Sequence, residues 1–400
     1  DVWPMLAAAG SALVLGMYQL GQPSLWIDEA ATVDASSRSY VSLMNEHHWI
    51  YYSLMKLWIG VAGSSELALR LPSVLVAAAA CALLVPFGNR LLGRPVGSIA
   101  GTLLAVNPFF VQWSQQARSY TIVVLATLVT TWLFVRMRSD EARRAWVAYT
   151  ICLGVFVVIQ PLSAGLMAAA HLIAAPGSRT RVVTAGVAVM LVTLPFLVGV
   201  ADSDYRAGTL ARHIDPTPAS VSHAIIGLSG ALGVGLVLSI ASLVTLRRER
   251  LLLASWAWAP LAISVAVTPI GTVFIDRYVI VSAPAFALLV AALLVRLPRP
   301  RLAVALGALA AGTIVGLTLW YGTDGSQNWR GEDWKSATRY AMQRGGATVY
   351  PSWAASAYEY YGGVQRDTGL DLIWSDNERD FAGDWPLDVR FGRELRVQRR

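Results

Sequence analysis

Two adjacent carboxylates pose the first chemical question of this 400-residue chain. Asp28 and Glu29 stand in the stretch SLWIDEAA, just after the first long apolar run. Carboxylates there have two uses that can coexist. Asp28 can cap a helix that begins at Glu29, with both acids near the positive end of its dipole. Alternatively, a carboxylate at that level can take a proton from a hydroxyl at the membrane surface. Two arginines stand in matching settings much later. Arg118 lies in NPFFVQWSQQARSY and Arg277 in TPIGTVFIDRYVI, each directly ahead of an apolar run. Guanidinium groups grip phosphate oxygens through two parallel hydrogen bonds, so a pair of them near a carboxylate suggests a lipid-phosphate site. The competing use is snorkelling of each arginine to the membrane interface.

The elements that would position these groups follow from composition. Hydrophobic residues make up 55% of the chain and charged ones 14%, well below the quarter or so of a soluble domain; mean hydropathy is +0.51. Apolar runs near 3–21, 67–89, 96–110, 119–135, 145–160, 162–176, 182–200, 223–246, 251–269, 278–295 and 302–321 approach the ~20 residues that cross a bilayer. The expectation is a mainly α, polytopic membrane protein with eleven crossings and its two ends on opposite sides. One set of alternate connections holds 14 basic residues, among them Arg136, Arg138, Arg247 and Arg250, while the longer loops of the other set hold seven. The arginine-rich side should be cytoplasmic. The N-terminus is then inside and the C-terminal tail outside. This pattern accounts for the net charge of +7 without nucleic acid.

Carboxylates show the reverse distribution. Asp28, Glu29, Asp34, Glu46, Glu66, Asp202, Asp204, Asp215 and Asp276 all fall in the outer loops, and none sits in the middle of a run. Ion-coupled transporters usually carry acids near the bilayer midplane, so the pattern favours an enzyme working at the outer face. His171 is the one histidine or charged residue in the middle of a run; a neutral histidine paired between helices is its expected role. Cys81 and Cys152 lie in apolar runs and read as small buried hydrophobes. The first run lacks a convincing cleavage site, so no signal peptide is expected.

The first outer loop, 22–66, is too long for a simple connector. Within it, the stretch around Tyr51 to Val61 reads as a helix lying on the membrane, with Trp26, Trp49, Tyr51, Tyr52 and Trp58 at headgroup level. After residue 321 the composition changes: the last 79 residues hold 12 of the 25 acidic residues. EDWKSATRYAMQRGG and AASAYEYYGG read as helices, and ATVYPS and LDLIW as strands. The expected division is a membrane domain over 1–321 and a small extracytoplasmic α/β domain over 322–400. Tyr358, Tyr360 and Tyr361 are expected to pack that domain onto the membrane part rather than to hold a glycan.

SLWIDEA, YYSLMKLW with GSSELALRLPS, NPFFVQWSQQARSY and DRYVIVSAPAFALL, in that order and on one expected face, resemble the membrane-embedded GT-C glycosyltransferases. The resemblance is to family 39, that of the protein O-mannosyltransferases, and to the related lipid A aminoarabinose transferases. It implies GT-C architecture in a bacterial plasma membrane, a polyprenyl-phosphate sugar donor, and an extracytoplasmic glycan, glycolipid or protein acceptor. Asp28 would be the general base and Glu29 its support or an acceptor contact, with Arg118 and Arg277 on the lipid phosphate. Further substrate contacts would come from Glu46, His47, His48, Tyr51, Tyr52, Gln116, Tyr120, Asp276 and Tyr278. One base without a covalent intermediate implies inversion. Mannose is the preferred sugar, with arabinofuranose or another pentose as alternative, and a polyprenyl-lipid flippase is the competing function. The chain departs from the family pattern in having Asn45 and Gln116 where relatives carry acids, so no metal or other cofactor is expected.

Overall fold

The computed structural model describes residues 2–44, 46, 48–138, 142–206, 216–247, 249–267, 274–322, 333–343, 348–350, 355–363 and 396–398. Over the described residues, all eleven apolar runs are helical. The chain opens with α1 (Val2–Met17), followed in the first loop by α2 (Ile27–Ser37), the single turn α3 (Tyr40–Leu43) and α4 (Trp49–Ala62). The bundle continues through α5 (Glu66–Leu92), α6 (Val96–Ala105), α7 (Pro108–Ser114), α8 (Tyr120–Met137), α9 (Ala142–Ile159) and α10 (Pro161–Ile173). Next come α11 (Arg179–Arg206), α12 (Pro218–Ser229), α13 (Val234–Thr245) and α14 (Arg250–Val267). A 3-10 helix, Asp276–Ser282, then leads into α15 (Ala283–Leu294), and α16 (Arg299–Tyr321) ends the bundle.

Among the described residues six helices are long and apolar enough to cross a membrane, or up to eight if each of two bent pairs is one span. The remaining runs are α1, α9 and α10. At 16 and 13 residues, α1 and α10 reach roughly 24 and 20 Å, short of the ~30 Å hydrocarbon core. Two expected straight spans are broken. The run 96–110 bends by 61° between α6 and α7, where Asn107 Oδ1 accepts from the N–H groups of Phe109 and Phe110 and Nδ2 donates to the Leu228 carbonyl. The run 223–246 turns by 103° between α12 and α13, through four consecutive residues at positive φ, Gly230 to Gly233.

Small residues set the closest helix approaches, as expected where lipid removes the hydrophobic drive for association. A Cβ on Gly97 would stand 2.0 Å from the Val85 carbonyl oxygen and one on Gly88 2.6 Å from Gly97 Cα, so α5 and α6 touch backbone to backbone. His171 is buried between helices as expected: Thr131 Oγ1 and Tyr149 OH each lie 3.1 Å from one ring nitrogen, and Phe134 stacks on the ring.

The helix expected on the membrane is α4. Its Leu54, Leu57 and Val61 are exposed, while Tyr51, Tyr52 and Met55 face inward. Lys56 Nζ donates to the carbonyls of Ser36, Ser37 and Arg38, closing the end of α2 with a cation where the dipole is negative. In the tail, α17 (Trp334–Met342) and α18 (Ala355–Gly362) are the two expected helices. The strand expected in ATVYPS is β1 (Thr348–Tyr350), antiparallel to β2 (Arg396–Gln398). The LDLIW strand lies outside the described residues.

Candidate active site

The two acids meet opposite environments because α2 starts at Ile27, which puts Asp28 and Glu29 in its first turn. Glu29 is fully buried. Its Oε1 accepts from Arg70 Nε at 2.8 Å and from the Ala117 N–H at 2.8 Å; Oε2 accepts from Arg70 Nη2 at 2.7 Å and from the Trp26 N–H at 3.3 Å. The last bond caps α2 from its third residue back to the chain ahead of the helix. Arg70 spends its remaining donors on the carbonyls of Leu20, Pro23 and Ser24. This one ion pair therefore ties α5, the 20–24 turn, the start of α2 and the 115–119 turn together. No oxygen of Glu29 is left for an acceptor, which removes that part of its expected role and leaves support.

Asp28 contrasts with its neighbour. Its side chain is 32% exposed, and among the described residues its one ion pair is with Arg277 Nη2, 3.5 Å from Oδ2. Arg277 arrives from the 3-10 helix ahead of α15, 249 residues away. Its guanidinium carbon sits 5.4 Å from the centroid of Trp26, 5.7 Å from that of Trp113 and 5.7 Å from that of Tyr278. Aromatic faces carry negative charge density and hold a cation without neutralising it. Arg277 Nε is buried with no hydrogen-bond partner.

Arg118 comes from the 115–119 turn between α7 and α8. Its Nη1 reaches the Asp28 carbonyl at 3.2 Å, Thr32 Oγ1 at 3.3 Å and Tyr52 OH at 3.2 Å. Among the described residues its Nε and Nη2 take no hydrogen bond. The arginine is thus anchored through one nitrogen. The turn itself is fixed by Gln115, whose Nε2 donates to the Gly16 and Tyr18 carbonyls at the end of α1 while Oε1 accepts from Trp320.

The other expected site residues divide. Tyr52 touches Arg118 through its hydroxyl. Tyr120 packs on Trp113 with ring centroids 5.0 Å apart, and its hydroxyl is buried without a partner. Tyr278 lies under Arg277. Gln116 is buried, with Oε1 unpartnered. His48, left-handed at φ 64°, faces the Ile159 carbonyl and Ser119 Oγ through Nδ1, and so supports the 115–119 turn. Tyr51 is buried in a cluster with Leu25, Tyr52 and Ala117. Asp276 Oδ1 accepts from the Arg277 N–H, and Oδ2 lies 3.8 Å from His223. Glu46 pairs with Arg38, itself bound to Asp34, in a partly exposed ion network, so its carboxylate serves the loop surface instead of the Asp28 cluster. His47 lies outside the described residues. No group of three metal-ligating side chains occurs among the described residues.

Sequence reasoning missed Arg70, Thr32 and the roles of Trp26 and Trp113. Arg70 had a signal: it stands inside the first turns of an apolar helix, where an unpaired charge is too costly to keep. The aromatic cage had none, because its rings come from positions 26, 113 and 278.

The tail closes over the same loop. Tyr361 OH accepts from the Leu25 N–H at 2.7 Å and lies 3.3 Å from Glu66 Oε1. Burial pushes its phenol above the ordinary value, keeping the proton that this second contact uses. Tyr360 OH donates to the Ser64 carbonyl, the Trp334 N–H to Ser24 Oγ, and Lys335 pairs with Glu66 at 2.7 Å. Tyr360 and Tyr361 thus pack the tail onto the membrane part, as expected.

Comparison with known proteins bears on the fold. Residues 47–201 match the family model of dolichyl-phosphate-mannose-protein mannosyltransferases. No curated protein matches the chain. Among solved structures, ArnT from Cupriavidus metallidurans bound to undecaprenyl phosphate is similar with a TM-score of 0.61 at 16% identity, over 90% of this chain and 74% of ArnT. Its apo form gives 0.60 at 17% identity, over 90% and 74% of the two chains. The Archaeoglobus fulgidus oligosaccharyltransferase, in complex with Zn and sulfate, gives 0.57 at 14% identity, over 96% of this chain and 59% of that one. The chain thus has the fold of ArnT and of the archaeal oligosaccharyltransferase, and its residues 47–201 are similar to the mannosyltransferase family model.

Proposed function

We propose that the chain is an inverting glycosyltransferase that moves a sugar, mannose in the first instance, from a polyprenyl phosphate to a hydroxyl of an extracytoplasmic acceptor. The observation that carries this reading is the division between neighbours: Glu29 is saturated by four donors, whereas Asp28 is partly exposed and meets a single guanidinium at 3.5 Å. Asp28 accepts the acceptor's hydroxyl proton as its oxygen attacks the anomeric carbon. The bond to phosphate oxygen breaks with its electron pair leaving on the phosphate, whose growing charge is met by Arg277 and by the unused nitrogens of Arg118. Charge stabilisation replaces a general acid here, because a phosphate leaving group needs no proton. A related fold seen with undecaprenyl phosphate, that of ArnT, supports the choice of donor class, and the family match over 47–201 supports mannose over a pentose.

The test is incubation of the purified full chain with radiolabelled polyprenyl-phosphate mannose or arabinose and membrane extract, followed by identification of the labelled product. Asp28→Asn should lower transfer by roughly 10²–10⁴-fold while donor binding persists. Full activity in that variant removes Asp28 as the base. Translocation of lipid-linked sugar without a new glycosidic bond would replace the enzyme with a flippase.

A further inference from the structure

At the end of the bundle remote from Asp28, the close of α8 and α10 and the start of α14 surround an open cavity of about 460 Å³. The 18 residues of α8 start beside Arg118, so the cavity lies roughly 27 Å away along that helix. Three arginines, Arg138, Arg247 and Arg250, line it against a single carboxylate, Glu249. That acid is already engaged: Arg138 donates to both its oxygens, at 2.9 and 3.1 Å. Glu249 adopts φ 55°, a conformation few non-glycine residues hold, at the turn that leads into α14. Among the described residues, Arg247 and Arg250 have no hydrogen bond or ion pair, and both are exposed. The cavity therefore presents two uncompensated cations. The turn Ala174–Ser178 forms its wall, and beside it Leu172, Ile173 and Leu251 are exposed. These side chains continue the apolar surface of the spans up to the cationic lining. Concavity, surplus positive charge and an apolar edge at the level where spans end suit a ligand with an anionic head and hydrocarbon chains.

We propose that this cavity binds the phosphodiester headgroup of an anionic phospholipid, in the leaflet opposite the Asp28 site. Arg247 and Arg250 supply the charge, and Glu249 neutralises Arg138 within the lining. The assignment does not depend on the transfer reaction.

The test is native mass spectrometry of the full chain released from micelles holding phosphatidylglycerol, phosphatidylcholine or inorganic phosphate. Phosphatidylglycerol should be retained preferentially. R247Q/R250Q should cut that preference by roughly tenfold or more, given the contribution of each cation near a membrane surface. E249Q keeps the side-chain shape and frees Arg138, so it should raise retention. Equal retention of the two lipids, or an unchanged preference in R247Q/R250Q, overturns the proposal. So does inorganic phosphate binding the cavity while phosphatidylglycerol shows no preference. Should R247Q/R250Q fail to fold, unchanged retention in E249Q alone is decisive against it.

Discussion

Glu29→Gln removes one charge from the centre of the site while preserving volume. In the native pair, the carboxylate side chain is 0% exposed and the guanidinium side chain 3%. Four donors converge on two carboxylate oxygens. A glutamine offers one oxygen and one NH2, so two of those donors would face another donor. Arg70 would keep its three carbonyl partners but no anion. Removing one member of a buried pair costs about 3–5 kcal/mol because the other charge is left uncompensated, and several kcal/mol is a large share of a typical folding free energy of ~5–15 kcal/mol. Arg70→Met should cost a similar amount, for the mirror reason. Combining the two should cost less than the sum of the singles by roughly 2 kcal/mol or more, since the second change removes a charge already stranded by the first. Denaturant unfolding of the four proteins in detergent measures the coupling. Transfer assays at temperatures where the singles remain folded should show losses too, because Asp28 is the next residue along the same helical turn. Wild-type stability in either single variant, or strictly additive penalties, would refute the account of Arg70 as the clamp of this loop.

Three further outcomes follow from the geometry. Arg277→Lys keeps the charge but loses the planar fork and its stacking between aromatic rings; kcat/KM for the donor should fall roughly tenfold or more, and unchanged steady-state kinetics would argue against phosphate contact. Gly312→Ala places a Cβ 2.3 Å from the Ala231 carbonyl oxygen, a backbone collision at the α12–α13 break, and should cost about 1–3 kcal/mol in thermal melts. Tyr361→Phe leaves the Leu25 N–H without its 2.7 Å acceptor, at about 1–3 kcal/mol, and should speed proteolytic release of the tail, with Tyr360→Phe, whose partner is the exposed Ser64 carbonyl, having the smaller effect.

The sequence was informative where one residue type in one setting has few uses. Helical runs were legible because lipid demands ~20 apolar residues at a time, and over the described residues all eleven are helical, two of them broken by a bend. The site's acids and arginines stood out because charges beside apolar runs are rare. Broken spans were not legible: Gly230 and Gly233 bracket Ala231 and Leu232, and the last two are ordinary helix formers whose left-handed backbone nothing local announces. The division of labour between Asp28 and Glu29 was equally hidden. It depends on Arg70 and Ala117, 41 and 88 residues from Glu29, and no pattern around the acidic pair points to either. Glu46 shows the converse case: its partners Arg38 and Asp34 are close in the chain, and together they form an ordinary surface network.

The spacing of these partners along the chain also fixes the order in which the centre matures during synthesis. Arg70 follows Glu29 by 41 residues, Arg118 follows Asp28 by 90 and Arg277 by 249. At ~5–20 residues per second, the acid-bearing helix can be latched within seconds of leaving the ribosome. The cation facing Asp28 emerges about ten to fifty seconds after the acid itself. A nascent chain interrupted between Arg118 and the DRY segment would therefore already carry Asp28 and Arg118 while lacking the guanidinium that faces Asp28.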